Sequence, residues 1–128
     1  MEDAGVNVSA VFLSISPGAS LRLELREADM AETRMKLQGD ELARRAAALP
    51  EWRVNGDRLL RTFLFPDFRE ALAFVNRAGG VAEEMGHHPD IHLTWGRADV
   101  ETSTHDAGGI TASDFDLASK IDEQYFRR

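Results

Sequence analysis

The chain has no cysteine. Disulfides, a thiolate nucleophile and cysteine-ligated zinc are thereby excluded, a composition that fits a reducing cytoplasm. It is also short of cations, with 15 Lys and Arg against 22 Asp and Glu and a formal net charge of -7. Nucleic-acid binding needs a basic face to displace counterions from phosphate, so direct DNA contact is not expected. Long apolar runs are missing too. Val6 to Ile15 comes nearest, but it is too short to span a bilayer and follows Glu2 and Asp3, where a signal peptide carries positive charge. Residues 1–34 hold six acidic side chains, which argues against a mitochondrial presequence. The expectation is a cytoplasmic protein with no membrane segment.

What is present is ordinary for a globular protein: 43% hydrophobic and 29% charged residues in 128 positions. That length makes one core, small enough for self-association to add stability, so a homodimer or homotetramer is expected. Residues 1–34 read as a loosely ordered extension broken at Ser16-Pro17-Gly18, although Leu21 to Leu25 alternates like a strand. An internal start at Met30 or Met35 would also account for it. Residues 35–128 then form the domain.

Within the domain, Leu42, Ala46 and Leu49 place one stripe on a helix that Pro50 ends. Trp52–Val54 and Leu59–Phe65 flank Asn55-Gly56 and predict a hairpin turning at that dipeptide. Asp67 with Glu70 opens a second helix, whose core stripe is read as Phe68, Leu72, Val75, Ala78, Ala82 and Met85. Gly79-Gly80 inside it predicts a kink. Ile91, Leu93 and Trp95 alternate as a third strand, with Trp95 expected in the core; Gly96-Arg97 turns the chain, and Val100 and Thr102 mark a fourth strand. Thr111 caps a last helix with Asp114 in the capping-box position, and Phe115, Leu117, Ala118 and Ile121 supply its apolar side. The order α-β-β-α-β-β-α predicts an α+β, two-layer domain: a four-stranded antiparallel sheet with three helices on one face.

The chemistry is concentrated. All four histidines lie between positions 87 and 105. Imidazole is the side chain whose unperturbed pKa lies nearest physiological pH, so a histidine cluster beside carboxylates is suited to moving protons. Glu83 and His87 are four apart, which puts the carboxylate on the imidazole if the helix reaches that far. His87 and His88 are adjacent and point different ways, and Pro89 forces extended backbone there. His88 and His92 form an H-x3-H, but Pro89 interrupts any helix between them and no H-E-x-x-H exists, so no metal is expected. His92 reads as an exposed strand residue. His105 precedes Gly108-Gly109, a turn without phosphate-loop spacing. Asp114 carries two readings, helix cap and site residue, and Trp95 carries core and stacking readings.

The ordered phrase Glu83, His87-His88-Pro89, Trp95, His105, Asp114 is E-x3-H-H-P-x5-W-x9-H-x8-D. It resembles the signature of the pterin-4a-carbinolamine dehydratases, with every fixed position filled. The resemblance runs from about Leu37 to Ile121, including Ala48-Leu49-Pro50-Glu51-Trp52, Arg61-Thr62-Phe63-Leu64-Phe65 and Thr104 through Thr111. It implies the same α+β fold and dehydration of 4a-hydroxytetrahydropterin to quinonoid dihydropterin and water without metal or organic cofactor. His87, His88 and His105 would carry the acid–base work, with Gly86, Ser103, Thr104 and Asp106 around the substrate and Glu83, Pro89, Trp95 and Asp114 in support. The resemblance also implies a link to aromatic amino acid hydroxylases, whose pterin such enzymes regenerate. Two alternatives share the fold: a non-catalytic dimerisation or coregulator module, and a relative acting in molybdopterin-related metabolism.

Overall fold

The computed structural model describes residues 35–127. The expected extension, with its alternating Leu21–Leu25 stretch, lies outside the described residues. The elements are α1 (Gly39–Ala48), β1 (Arg53–Asn55), β2 (Arg58–Leu64), α2 (Phe68–Met85), β3 (Asp90–Thr94), β4 (Arg97–Thr102), a 3-10 turn (His105–Ala107) and α3 (Ala112–Tyr125). All strand pairs are antiparallel, and the sheet order is β1-β2-β4-β3. The predicted α+β architecture is the one found.

Strand alternation sets the two faces of the sheet. Leu59 and Phe63 of β2 and Ala98, Val100 and Thr102 of β4 are buried beneath the helices, while Arg97, Asp99 and Glu101 point to the open face. The core centres on Phe63, which meets the rings of Trp52, Phe74 and Tyr125. Trp52 Nε1 and Arg61 Nη1 both donate to Asp122 Oδ1, at 2.9 and 2.8 Å, tying α3 to the first strands. Burial holds the Asp122 carboxyl above its ordinary pKa despite these donors. On the open face, burial alone would raise Asp99, but the Thr62 hydroxyl and the Arg97 guanidinium outweigh it and hold its carboxyl below the usual value. Among the described residues, no helix is long and apolar enough to cross a membrane.

Several expectations are corrected. Asn55 pairs with Arg58, so the hairpin turns at Gly56-Asp57, one residue beyond the predicted dipeptide; Gly56 has φ 65°, where glycine carries no Cβ penalty. Asp67 does cap α2, accepting from the Glu70 N–H at 2.9 Å. The helix buries Ala71, Phe74, Ala78 and Ala82, and Phe68 and Leu72 are exposed. Of the expected stripe Ala78 and Ala82 are buried and Val75 and Met85 pack against the core; only at the start of the helix does its rotation against the sheet bury Ala71 and Phe74 in place of Phe68 and Leu72.

Trp95 does not enter the core; it is 69% exposed. Thr94 pairs with Arg97, so Trp95 and Gly96 form the two-residue turn of the β3–β4 hairpin and end the alternation. Gly96 is tied to the end of β2 as well: the Phe65 N–H donates to Gly96 O at 2.9 Å, and a Cβ on Gly96 would lie 2.8 Å from Phe65 O.

Residues 68–85 form one uninterrupted helix through Gly79 and Gly80, both exposed, with nothing within 4 Å of an added Cβ. The expected result for Gly80→Ala is therefore a gain of about 0.5–1 kcal/mol in urea unfolding, from reduced freedom of the unfolded chain and better helix propensity. A loss of stability would show that this helix face is covered in solution.

Candidate active site

The site is built at one end of the domain, where α2 and β4 finish and α3 begins. Gly86 takes the left-handed conformation, φ 67° and ψ 27°, and terminates α2. The His87 N–H then reaches back to Ala82 O at 3.1 Å and the Gly86 N–H to Glu83 O at 3.2 Å, the paired bonds of a Schellman ending. His87 thus leaves the helix, so the predicted i,i+4 contact with Glu83 is not made. Glu83 instead pairs with His88, Oε1 to Nε2 at 2.7 Å. That pair is solvated, with side chains 80% and 63% exposed, so it contributes at most about 1 kcal/mol.

His87 turns to α3, placing Nε2 2.6 Å from Asp114 Oδ1. The imidazole is 18% exposed and the Asp114 side chain 0%. The two oxygens of Asp114 divide their contacts between the helix cap and His87. Oδ2 accepts the Thr111 N–H at 2.9 Å, closing the capping box of α3, and the Thr104 hydroxyl at 2.7 Å. Oδ1 accepts the Thr102 hydroxyl at 2.6 Å and faces His87. Since the one Thr104 hydroxyl proton goes to Asp114, the 2.7 Å contact between Thr104 and Thr111 hydroxyls has Thr111 donating. A buried carboxylate is tolerated here because donors surround it.

His105 and Asp106 are exposed on the 3-10 turn directly after Thr104. The loop closes on itself: Thr104 N–H donates to Gly109 O at 2.8 Å, and Gly108, with φ 75°, donates to Thr104 O and His105 O. His105 is thereby anchored next to the threonine that binds Asp114. Ser103 is half-buried between Thr102 and Thr104, and Pro89 leads into β3. His92 is exposed on β3, as expected. Trp95 sits at the far end of β4 from Thr102, roughly 20 Å along the strand, and does not join this constellation within one chain. Among the described residues no group of three or more His, Asp or Glu could hold a metal ion.

Sequence reasoning read Thr102 only as a strand residue and Thr111 only as a helix cap, and placed neither hydroxyl beside the site. The available signal was the position of Thr102 in the buried alternation Ala98, Val100, Thr102, where a hydroxyl needs a partner.

A family model described as pterin 4 alpha carbinolamine dehydratase matches residues 35–124. The chain belongs to that family. Similar proteins include one from Rubrobacter xylanophilus, 53% identical over 87 residues that cover 67% of this chain and 81% of the relative, and one from Thermosynechococcus vestitus, 48% identical over 86 residues that cover 67% and 90%. Both are named "Putative pterin-4-alpha-carbinolamine dehydratase". Among solved structures, a transcriptional coactivator/pterin dehydratase from Brucella melitensis superposes with a TM-score of 0.68 at 30% identity, covering 70% of this chain and 98% of that one. A pterin dehydratase-like RuBisCO assembly factor of the alpha-carboxysome shares the fold, with a TM-score of 0.51 at 22% identity over 59% of this chain and 89% of its own.

Proposed function

We propose that this protein dehydrates a 4a-hydroxytetrahydropterin to the quinonoid dihydropterin and water by histidine acid–base catalysis. Family membership supports the reaction class, and the His87–Asp114 pair is the observation that supports the mechanism. The reaction removes the N5 proton, forms the C4a–N5 double bond and releases the 4a-hydroxyl as water after a proton reaches the leaving oxygen. One base and one acid suffice.

His87 suits the base. Its Nε2 faces a carboxylate whose other partners all donate, so in the neutral ring Nε2 carries the proton and the lone pair resides on Nδ1. Nδ1 then takes the N5 proton, and Asp114 stabilises the imidazolium that results. His88 and His105 are exposed histidines flanking this pair and are the candidates for the acid. In this reading the product returns to the pterin pool used by aromatic amino acid hydroxylases.

The decisive experiment generates the 4a-hydroxytetrahydropterin in situ and measures its dehydration with and without protein. Acceleration above the spontaneous rate, retained after exhaustive chelation, is the expected result. No acceleration would sink the assignment. Partner binding is the second reading, favoured by the likeness to the Brucella melitensis protein, which is called a transcriptional coactivator as well as a pterin dehydratase; it would then stand in place of the first.

A further inference from the structure

We propose that Thr102 is a positioning residue: its buried hydroxyl fixes the Asp114 carboxylate so that His87 is held as its Nε2–H tautomer, with Nδ1 open to substrate. The kinetic consequence rests on the dehydratase reading; the tautomer does not.

Thr102 is 2% exposed and lies on the helix-facing side of β4, in line with Ala98 and Val100. A hydroxyl there costs stability unless it finds an acceptor, and an apolar residue would fill the same volume without that cost. The acceptor it finds is Asp114 Oδ1, at 2.6 Å, the same oxygen that meets His87 Nε2 at 2.6 Å. The other oxygen is held separately by the Thr104 hydroxyl and the Thr111 N–H. The carboxylate is therefore pinned at both ends, and rotating it breaks bonds on both.

The division of bonds makes the role specific. Loss of the Thr102 hydroxyl leaves the capping contacts on Oδ2 intact, so α3 keeps its N-terminal bonds. Oδ1 is then held by His87 alone, so displacing it from the line that keeps the proton on Nε2 costs one hydrogen bond less, with Oδ2 still held. The ring gains access to its other tautomer, in which Nδ1 carries a proton and cannot accept one. Thr102 thus acts through Asp114 on His87 without touching substrate.

The test uses the full chain and Thr102→Val, which keeps the shape and removes the hydroxyl, beside Thr102→Ser, which keeps the hydroxyl. Nitrogen-15 shifts of the His87 ring, assigned by their absence in His87→Gln, report which nitrogen carries the proton. The expected result is an Nε2–H ring in the native protein and a mixture of tautomers in Thr102→Val. With it comes a fall in kcat of about tenfold, the scale of one hydrogen bond to a charged group, and a KM within about twofold. Thr102→Ser should recover both signals. An Nδ1–H ring in the native protein overturns the proposal before any variant is made, and so does a Thr102→Val protein with native tautomer and native kcat. If Thr102→Val does not fold, Thr102→Ala against Thr102→Ser carries the same comparison. A tautomer shift in a protein that dehydrates nothing would uphold the role of Thr102 and sink the dehydratase reading instead.

Discussion

Alanine at His87 is expected to slow enzymatic dehydration by about 10²- to 10⁴-fold, the range of a single general acid–base group. His88→Ala and His105→Ala should also reduce the rate with the fold intact, since all three positions are exposed or half-buried and none packs in the core. His92→Ala should change little, because its side chain sits on the open face of the sheet, opposite Asp99 and away from Asp114. The substrate also dehydrates spontaneously, so the background rate has to be subtracted before the variants are compared. Three unchanged rates would remove the histidines from the chemistry and return the protein to the partner-binding reading.

The second large effect is on stability. Asp114→Ala removes the acceptor of two threonine hydroxyls, the Thr111 N–H and His87 Nε2 in one step. Each buried donor left without a partner costs about 1–3 kcal/mol, and Thr102 and Thr111 are both buried. The expected loss is roughly 3–5 kcal/mol in chemical unfolding, comparable to breaking a buried ion pair by deleting one side of it. Half of a small domain's stability is of this size. A loss below about 1 kcal/mol would mean that water reaches the threonines and that Asp114 is not the keystone of α3. Thr102→Val and Thr104→Val made together in the Asp114→Ala background would then be neutral, whereas the buried-donor account has them restore part of the loss.

Much of the fold was legible because its signals are local. The Asp67 cap, the end of α1 before Pro50, and the Thr111–Asp114 capping box each act over three or four residues, and each is found where the chain predicts it. The misplacements share a different cause. Phe68 and Leu72 fit helical spacing as well as Ala71 and Phe74 do, and only the sheet beneath α2 selects between the two sets. Trp95 continues a period of two in sequence, but the Thr94–Arg97 pair closes the β3–β4 hairpin and ends the strand one residue earlier. Both hairpin turns are displaced by a single residue for the same reason: register belongs to a pair of strands, not to either one.

The sequence by itself determined the chemical kit and the family: a histidine phrase at fixed spacing, no thiol, a net charge of -7, and an α+β order of elements. What only the tertiary structure decided is which groups in that phrase meet. Gly86 turns the chain left-handed, separating His87 from Glu83 and leaving Glu83 to the solvated His88. His87 then finds Asp114, 27 residues away, and the same carboxylate gathers Thr102 from the sheet and Thr104 from the loop. Spacing along a chain predicts contacts only while one regular element carries both partners. Across a helix end, a strand and a second helix start, the contact depends on how the layers pack, and that information exists only once the core has formed.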